Sequence, residues 1–97
     1  MLAKITIPVE SGNEAIKNWS LPRTMKKAME DLKPEAAYFL SENGERTAIL
    51  VFDLAAESKI PWVVERFFMG LNADVTITPV MNAADLEKGI AEAMAAL

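Results

Sequence analysis

The chain has 97 residues, enough for one core, since a domain of this size buries roughly 60 to 70% of the surface its unfolded chain exposes. Its formal charge is −4 and its ten basic residues are spread along the chain, which leaves no electrostatic footprint for a phosphate backbone and argues against a nucleic-acid partner. Cysteine and histidine are both absent, which excludes disulfides, thiolate nucleophiles, imidazole bases, imidazole haem ligands, the Ser-His-Asp arrangement and the common zinc sites.

In chain order, Leu2 to Val9 alternates with period two, with Ala3, Ile5, Ile7 and Val9 on one face and Lys4 and Thr6 on the other, which predicts a half-buried first strand. Glu10-Ser11-Gly12-Asn13 reads as a turn cluster. A single helix from Asn13 to Leu32 would put Ile16 and Trp19 out of phase with the stripe of Leu21, Met25, Ala28, Met29 and Leu32. Pro22 supplies the break, so a helix is expected over 22–33 with Ser20 as its N-cap, and Asn13 to Trp19 as a separate turn or loop. Lys33-Pro34 ends that helix.

Pro34 to Leu54 then holds two strand-forming runs joined at Asn43-Gly44, a dipeptide that takes positive φ readily at both central positions of a type I′ turn. Counting back from a two-residue turn sets Glu42 opposite Glu45, Phe39 opposite Ala48 and Tyr38 opposite Ile49. One side of the hairpin carries Ala37, Phe39, Ala48, Leu50 and Phe52; the other carries Ala36, Tyr38, Leu40, Thr47, Ile49, Val51 and Asp53. A second helix starts near Ser58 and stops at Gly70, with Ile60, Val63, Val64, Phe67 and Leu71 inward. Ala73 to Met81 alternates as a fourth strand whose Pro79 suits a sheet edge. Asn82 with Asp85 forms a capping box for a last helix, striped by Leu86, Ile90, Ala93, Met94 and Leu97.

The order is βαββαβ with an added C-terminal helix: an α+β, ferredoxin-like single domain over residues 1–97, with a four-stranded antiparallel sheet and its first and third strands central. Helices would cover one face, formed by Ile5, Ile7, Phe39, Leu50, Phe52, Val75 and Ile77. The other face would leave Tyr38, Leu40, Ile49 and Val51 in water beside Lys4, Thr6, Thr76 and Thr78. A second copy packed face to face about 10 Å away would cover that patch, so a homodimer through Tyr38, Leu40, Ile49 and Val51 is expected. No apolar run approaches a membrane span and MLAKITIPVE lacks a signal-peptide core, so a cytoplasmic chain with no membrane partner is expected.

The words PEAAYF, NGERT, VFDL, FFMGLNADV and TPVM, spread over almost the whole chain, resemble a group of short bacterial proteins of the dimeric α+β barrel superfamily. The resemblance implies that fold and a homodimer, and brings no catalytic residue. Members of the wider superfamily include cofactor-independent monooxygenases, haem-degrading enzymes and muconolactone isomerases, which use a pocket between sheet and helices, commonly with His, Asn, Trp or Tyr. The absence of histidine sets this chain apart from the haem-degrading and His-dependent members.

Asn13, Asn18 and Trp19 can offer amides and an indole to a ligand, or serve as local turn bonds and a plug at the edge of the core. Lys4 and Tyr38 lie on the second sheet face, where a buried lysine can act as a base or Schiff-base amine, or simply pair with a carboxylate. Trp62 and Met69, with Arg66 able to stack on the indole, form either a partner-binding stripe or a surface buried by intramolecular or dimer packing, under the last helix or under the loop that carries Trp19. Acidic residues show no metal-ligand spacing and no phosphate loop occurs, so no metal and no cofactor is expected. The leading expectation is a small homodimeric α+β barrel protein with a small-molecule-binding or accessory role and no demonstrable catalysis, any ligand being small and hydrophobic. Two alternatives stand beside it. One is a cofactor-independent monooxygenase or isomerase working on a hydrophobic or aromatic substrate near Asn18, Trp19 and Tyr38. The other is an interaction module using Trp62 and Met69.

Overall fold

The computed structural model describes every residue from Met1 to Leu97. β1 (Leu2–Ile7) is followed by α1 (Val9–Lys17) and α2 (Ser20–Leu32), then by β2 (Ala36–Glu42) and β3 (Glu45–Val51). A 3-10 turn at Glu57–Lys59 leads into α3 (Ile60–Leu71), and β4 (Asp74–Thr78) and α4 (Ala83–Ala96) complete the chain. The four strands form one antiparallel sheet in the order β2-β3-β1-β4, so β1 and β3 are central, as a ferredoxin-like arrangement requires.

The hairpin forms as its turn chemistry dictates. Asn43 and Gly44 take φ of 53° and 77°, and the pairs Glu42↔Glu45, Phe39↔Ala48 and Tyr38↔Ile49 are all present. Pairing of β1 with both β3 and β4 then fixes each face. On one face Tyr38, Ile49, Lys4 and Thr76 make a row across all four strands, with Ala36, Val51, Leu2 and Thr78 as the next row. On the other, Ala3, Ile5, Ile7, Ala48 and Leu50 are buried with Ala28 and Leu32 of α2 and Val63, Val64, Phe67 and Leu71 of α3. Phe67, Ile5, Leu50, Leu71 and Val63 are the largest fully buried side chains, each contributing roughly 1.5 to 3 kcal/mol through removal from water. The seam of α3 on the two central strands is therefore the stable centre of the molecule.

Several local expectations are corrected. Residues 10–13 are no turn cluster and 13–17 no loop, because all of them lie in α1. Pro8 precedes that helix, where its missing N–H costs nothing, and its carbonyl accepts from Gly12 N–H at 2.8 Å. Gly12 lowers helix propensity, and it makes room for a distant neighbour: a Cβ there would lie 2.7 Å from Nη1 at the far end of Arg46 and 3.2 Å from Ile7 Cγ2, so one of them would have to shift. The break falls at Trp19, held left-handed at φ 66°. Ser20 is the first residue of α2 rather than its cap, its N–H donating to Asn18 Oδ1 at 2.9 Å. Gly70 does not stop α3; it lies inside the helix, and Asn72 at φ 52° is the left-handed residue that ends it.

The last helix forms with the expected capping box, Asn82 Oδ1 accepting from Asp85 N–H at 2.8 Å. Its placement is the larger surprise. Every residue from Thr78 to Leu97 is exposed, and Leu86, Ile90 and Met94 carry 47, 54 and 66% of their surface in water. α4 therefore projects from the domain, and Trp62 and Met69 of α3 stay 48 and 80% exposed. The radius of gyration is 15.9 Å and the long dimension 55 Å, against about 13 Å expected for a compact domain of 100 residues.

Candidate functional site: a groove between α2 and the β2–β3 hairpin

The apolar stripe of α2 has two halves with different fates. Ala28 and Leu32 are buried on the sheet, whereas Leu21 and Met25, nearer the N-terminus, are only partly covered. Opposite them, β3 presents Ala48, a small side chain, and β2 presents Phe39. Phe39 belongs to the helix-side face as its parity predicts, but no helix reaches over it and 59% of its surface is exposed. The result is a groove of about 390 Å³ between the start of α2 and the hairpin, walled by Ile7, Leu21, Met25, Phe39 and Ala48. This size falls within the usual range for small-ligand pockets.

Arg46 is the one charged residue in the groove lining. It pairs in register with Ser41 of β2 and Ile7 of β1, so it stands on the face that is otherwise the core. Its Nη2 donates to Asn13 Oδ1 of α1 at 3.1 Å, and the missing side chain of Gly12 leaves space for Nη1. No carboxylate lies within ion-pairing distance of it. Sequence reading passed over Arg46, although a signal was present: by strand parity a charge two residues before Ala48 shares the covered face.

The residues singled out in the sequence fall in four places. Asn13 does not line the groove itself but holds its Arg46. Asn18 and Trp19 form the α1–α2 junction; Asn18 serves Ser20 through its side chain and Arg23 through its carbonyl, and Trp19 is 67% exposed. Asn18 also lines a shallow cleft of about 300 Å³ whose far wall includes Met69, two candidates the chain order had kept apart. Lys4 and Tyr38 stand in the same row of the open face, with Leu40, Ile49 and Val51 around them. Tyr38 is therefore on the side of the sheet away from Asn18 and Trp19, and the fold of one chain does not gather these three around a common point. Lys4 Nζ is 2.6 Å from Glu42 of β2, bridging β3, where Thr47 is 3% exposed. Lys4 thus has the carboxylate partner that the simpler reading gave it.

Trp62 and Arg66 form a separate cluster on α3. The guanidinium lies 4.9 Å from the indole centroid, with Lys59 at 5.4 Å from the same ring. Arg66 Nη1 also donates to Asp31 Oδ2 of α2 at 2.9 Å, while Lys27 reaches Asp31 Oδ1 at 3.1 Å. These donors, Lys27 first and Arg66 second, hold the Asp31 carboxyl below its ordinary value. Arg66 thus ties α3 to α2 beside a cleft of about 430 Å³ lined by Arg23, Lys27 and Trp62, whose cations are largely occupied within the chain.

No three His, Cys, Asp or Glu side chains converge as a metal site, and no helix is long and apolar enough to cross a membrane. Comparison with protein-family models, with curated proteins and with solved structures gives no match. What the chain does must therefore be argued from this geometry.

Proposed function

We propose that this protein is a homodimeric α+β barrel that binds a small hydrophobic ligand, with the groove under α2 as its ligand site. The observation that carries the reading is the exposed Phe39 facing Leu21, Met25 and Ala48 across a largely apolar cleft of about 390 Å³, on a face where Ala48 and Leu50 of the adjoining strand are buried. An aromatic ring left half in water by the end of a helix gains contact area from an apolar occupant.

The homodimer rests on the opposite face. Leu2, Tyr38, Leu40, Ile49 and Val51 share it, and packing against a second copy would remove the patch from water while leaving the groove open on the far side. Four strands spaced about 4.8 Å apart and five residues long span roughly 300 Å² in projection. A standard interface buries about 800 Å² per partner. The exposed stripe of α4 supplies the missing area when each copy lays its last helix on the other.

The test of the ligand site is titration with N-phenyl-1-naphthylamine, an uncharged aromatic probe, followed by amide chemical shifts. Shifts concentrated at Met25, Phe39 and Ala48, with at least a fivefold weaker Kd in Phe39→Ala, are the expected result. Shifts spread over the open face or along α4 instead would assign the apolar occupant to another surface.

A further inference from the structure

The groove's single cation has a consequence for what the groove takes. We propose that its ligand is a small amphipathic monocarboxylate, with the apolar tail against Phe39 and Met25 and the carboxylate on Arg46. This rests on the groove being the ligand site.

Three observations converge on Arg46. First, it is partly buried among apolar neighbours with no ion-pair partner, whereas the other partly buried arginine, Arg66, is paired with Asp31. Its bond to Asn13 is open to water, so the guanidinium keeps its charge, and with no carboxylate in its own chain it stands available to an outside anion. Second, the guanidinium is seated: Asn13 Oδ1 accepts one N–H from Nη2, and Gly12 leaves the space that Nη1 uses. A guanidinium carries five N–H donors in a planar fork, so one bond to Asn13 leaves the fork free for a carboxylate. Third, most of the remaining wall is apolar, with Ile7, Leu21, Met25, Phe39 and Ala48 beside the hydroxyl-bearing Ser41 and Thr47, which suits a hydrocarbon or aromatic tail.

Charge decides the headgroup. A phosphate monoester carries about −1.5 to −2 near neutral pH, and the groove lining holds one cation and no second basic residue. A carboxylate, with a single charge and two oxygens at the spacing of two guanidinium N–H groups, matches Arg46 in charge and in shape. The hydroxyl-bearing Ser41, next to Arg46 across the β2–β3 ladder and also in the lining, is placed to donate a further bond.

The experiment compares three acids with their primary amides, namely octanoate, 3-phenylpropionate and indole-3-acetate, by titration calorimetry and amide shifts at about 0.15 M salt. At least one acid is expected to bind at least tenfold more tightly than its amide, with shifts at Arg46, Asn13 and Phe39. Arg46→Gln should abolish that preference. Gly12→Ala keeps the charge but displaces the guanidinium, and should reduce the preference while far-UV circular dichroism stays unchanged. Equal binding of acid and amide would overturn the carboxylate assignment and leave the groove as an apolar site. Binding of neither member of any pair would likewise overturn the carboxylate assignment, and a negative result for the uncharged naphthylamine besides would overturn the groove reading as well. The wild-type comparison decides the matter even where a variant fails to fold.

Discussion

Asp31 shows how one residue couples two helices and how that coupling depends on pH. Its carboxylate accepts from Lys27 one turn earlier in α2 and from Arg66 of α3, and these donors hold its pKa below the ordinary aspartate value. A carboxyl whose pKa is depressed by folding stabilises the native state fully above its unfolded value of about 3.9, and the benefit is lost as pH falls through the lower folded value. Asp31→Asn is therefore expected to lower the thermal midpoint at pH 7, and the gap from the parent protein should close in acid below the ordinary carboxylate range. Coincident midpoint curves from pH 7 to pH 2 would show that the two bonds contribute nothing measurable. Arg46 differs from Arg66 in lacking any carboxylate: Arg66 ties two helices together, and the proposed carboxylate site rests on Arg46. Trp19 belongs to neither class: its left-handed backbone makes the junction between α1 and α2, and its indole makes no part of the groove.

The β2–β3 hairpin was the element most open to sequence reading, because everything that determines it lies within the segment. Asn43-Gly44 sets the turn, the turn sets the register, and the register assigns each side chain to a face. Gly44 allows a clean test, since it sits at φ 77° and an added Cβ would meet nothing within 4 Å. The cost of Gly44→Ala is then a backbone cost alone, expected at about 1 kcal/mol by urea denaturation with an unchanged m value. A neutral effect would mean that the turn relaxes to another type. α1 was illegible for the opposite reason: Ser11, Gly12 and Asn13 together look like a turn, and the neighbour that fills the room left by Gly12 is Arg46, 34 residues away. The groove was half legible. Parity placed Phe39 and Ala48 on the helix side, but where α2 stops covering them follows from how its two ends seat on the sheet.

At the scale of the whole molecule, the long dimension of 55 Å and the 14-residue α4 with no buried residue describe a chain whose surfaces are incomplete by themselves. A helix of this length is marginal in water without a packing partner. Sedimentation at micromolar concentration is expected to give a dimer. Ile49→Glu, placing a charge in the middle of the open face, should shift it to monomer or to aggregate, and removal of residues 83–97 should weaken the dimer at least tenfold. A protein that stays monomeric throughout would sink the proposed assembly and leave α4 for a different partner.

The sequence by itself determined what short-range chemistry controls: the antiparallel sheet, its register and two faces, the capping box of the last helix, and the exclusion of cysteine and histidine chemistry. Tertiary structure alone decided the rest. It put Arg46 beside Gly12 and Asn13, separated Tyr38 from Trp19 by the thickness of the sheet, and left α4 without a surface in its own chain. The physical reason is one of range. Turn geometry and strand parity act over a few residues, whereas the space for a guanidinium, the end of a helix's cover and the docking of an amphipathic stripe depend on groups that only the fold brings together.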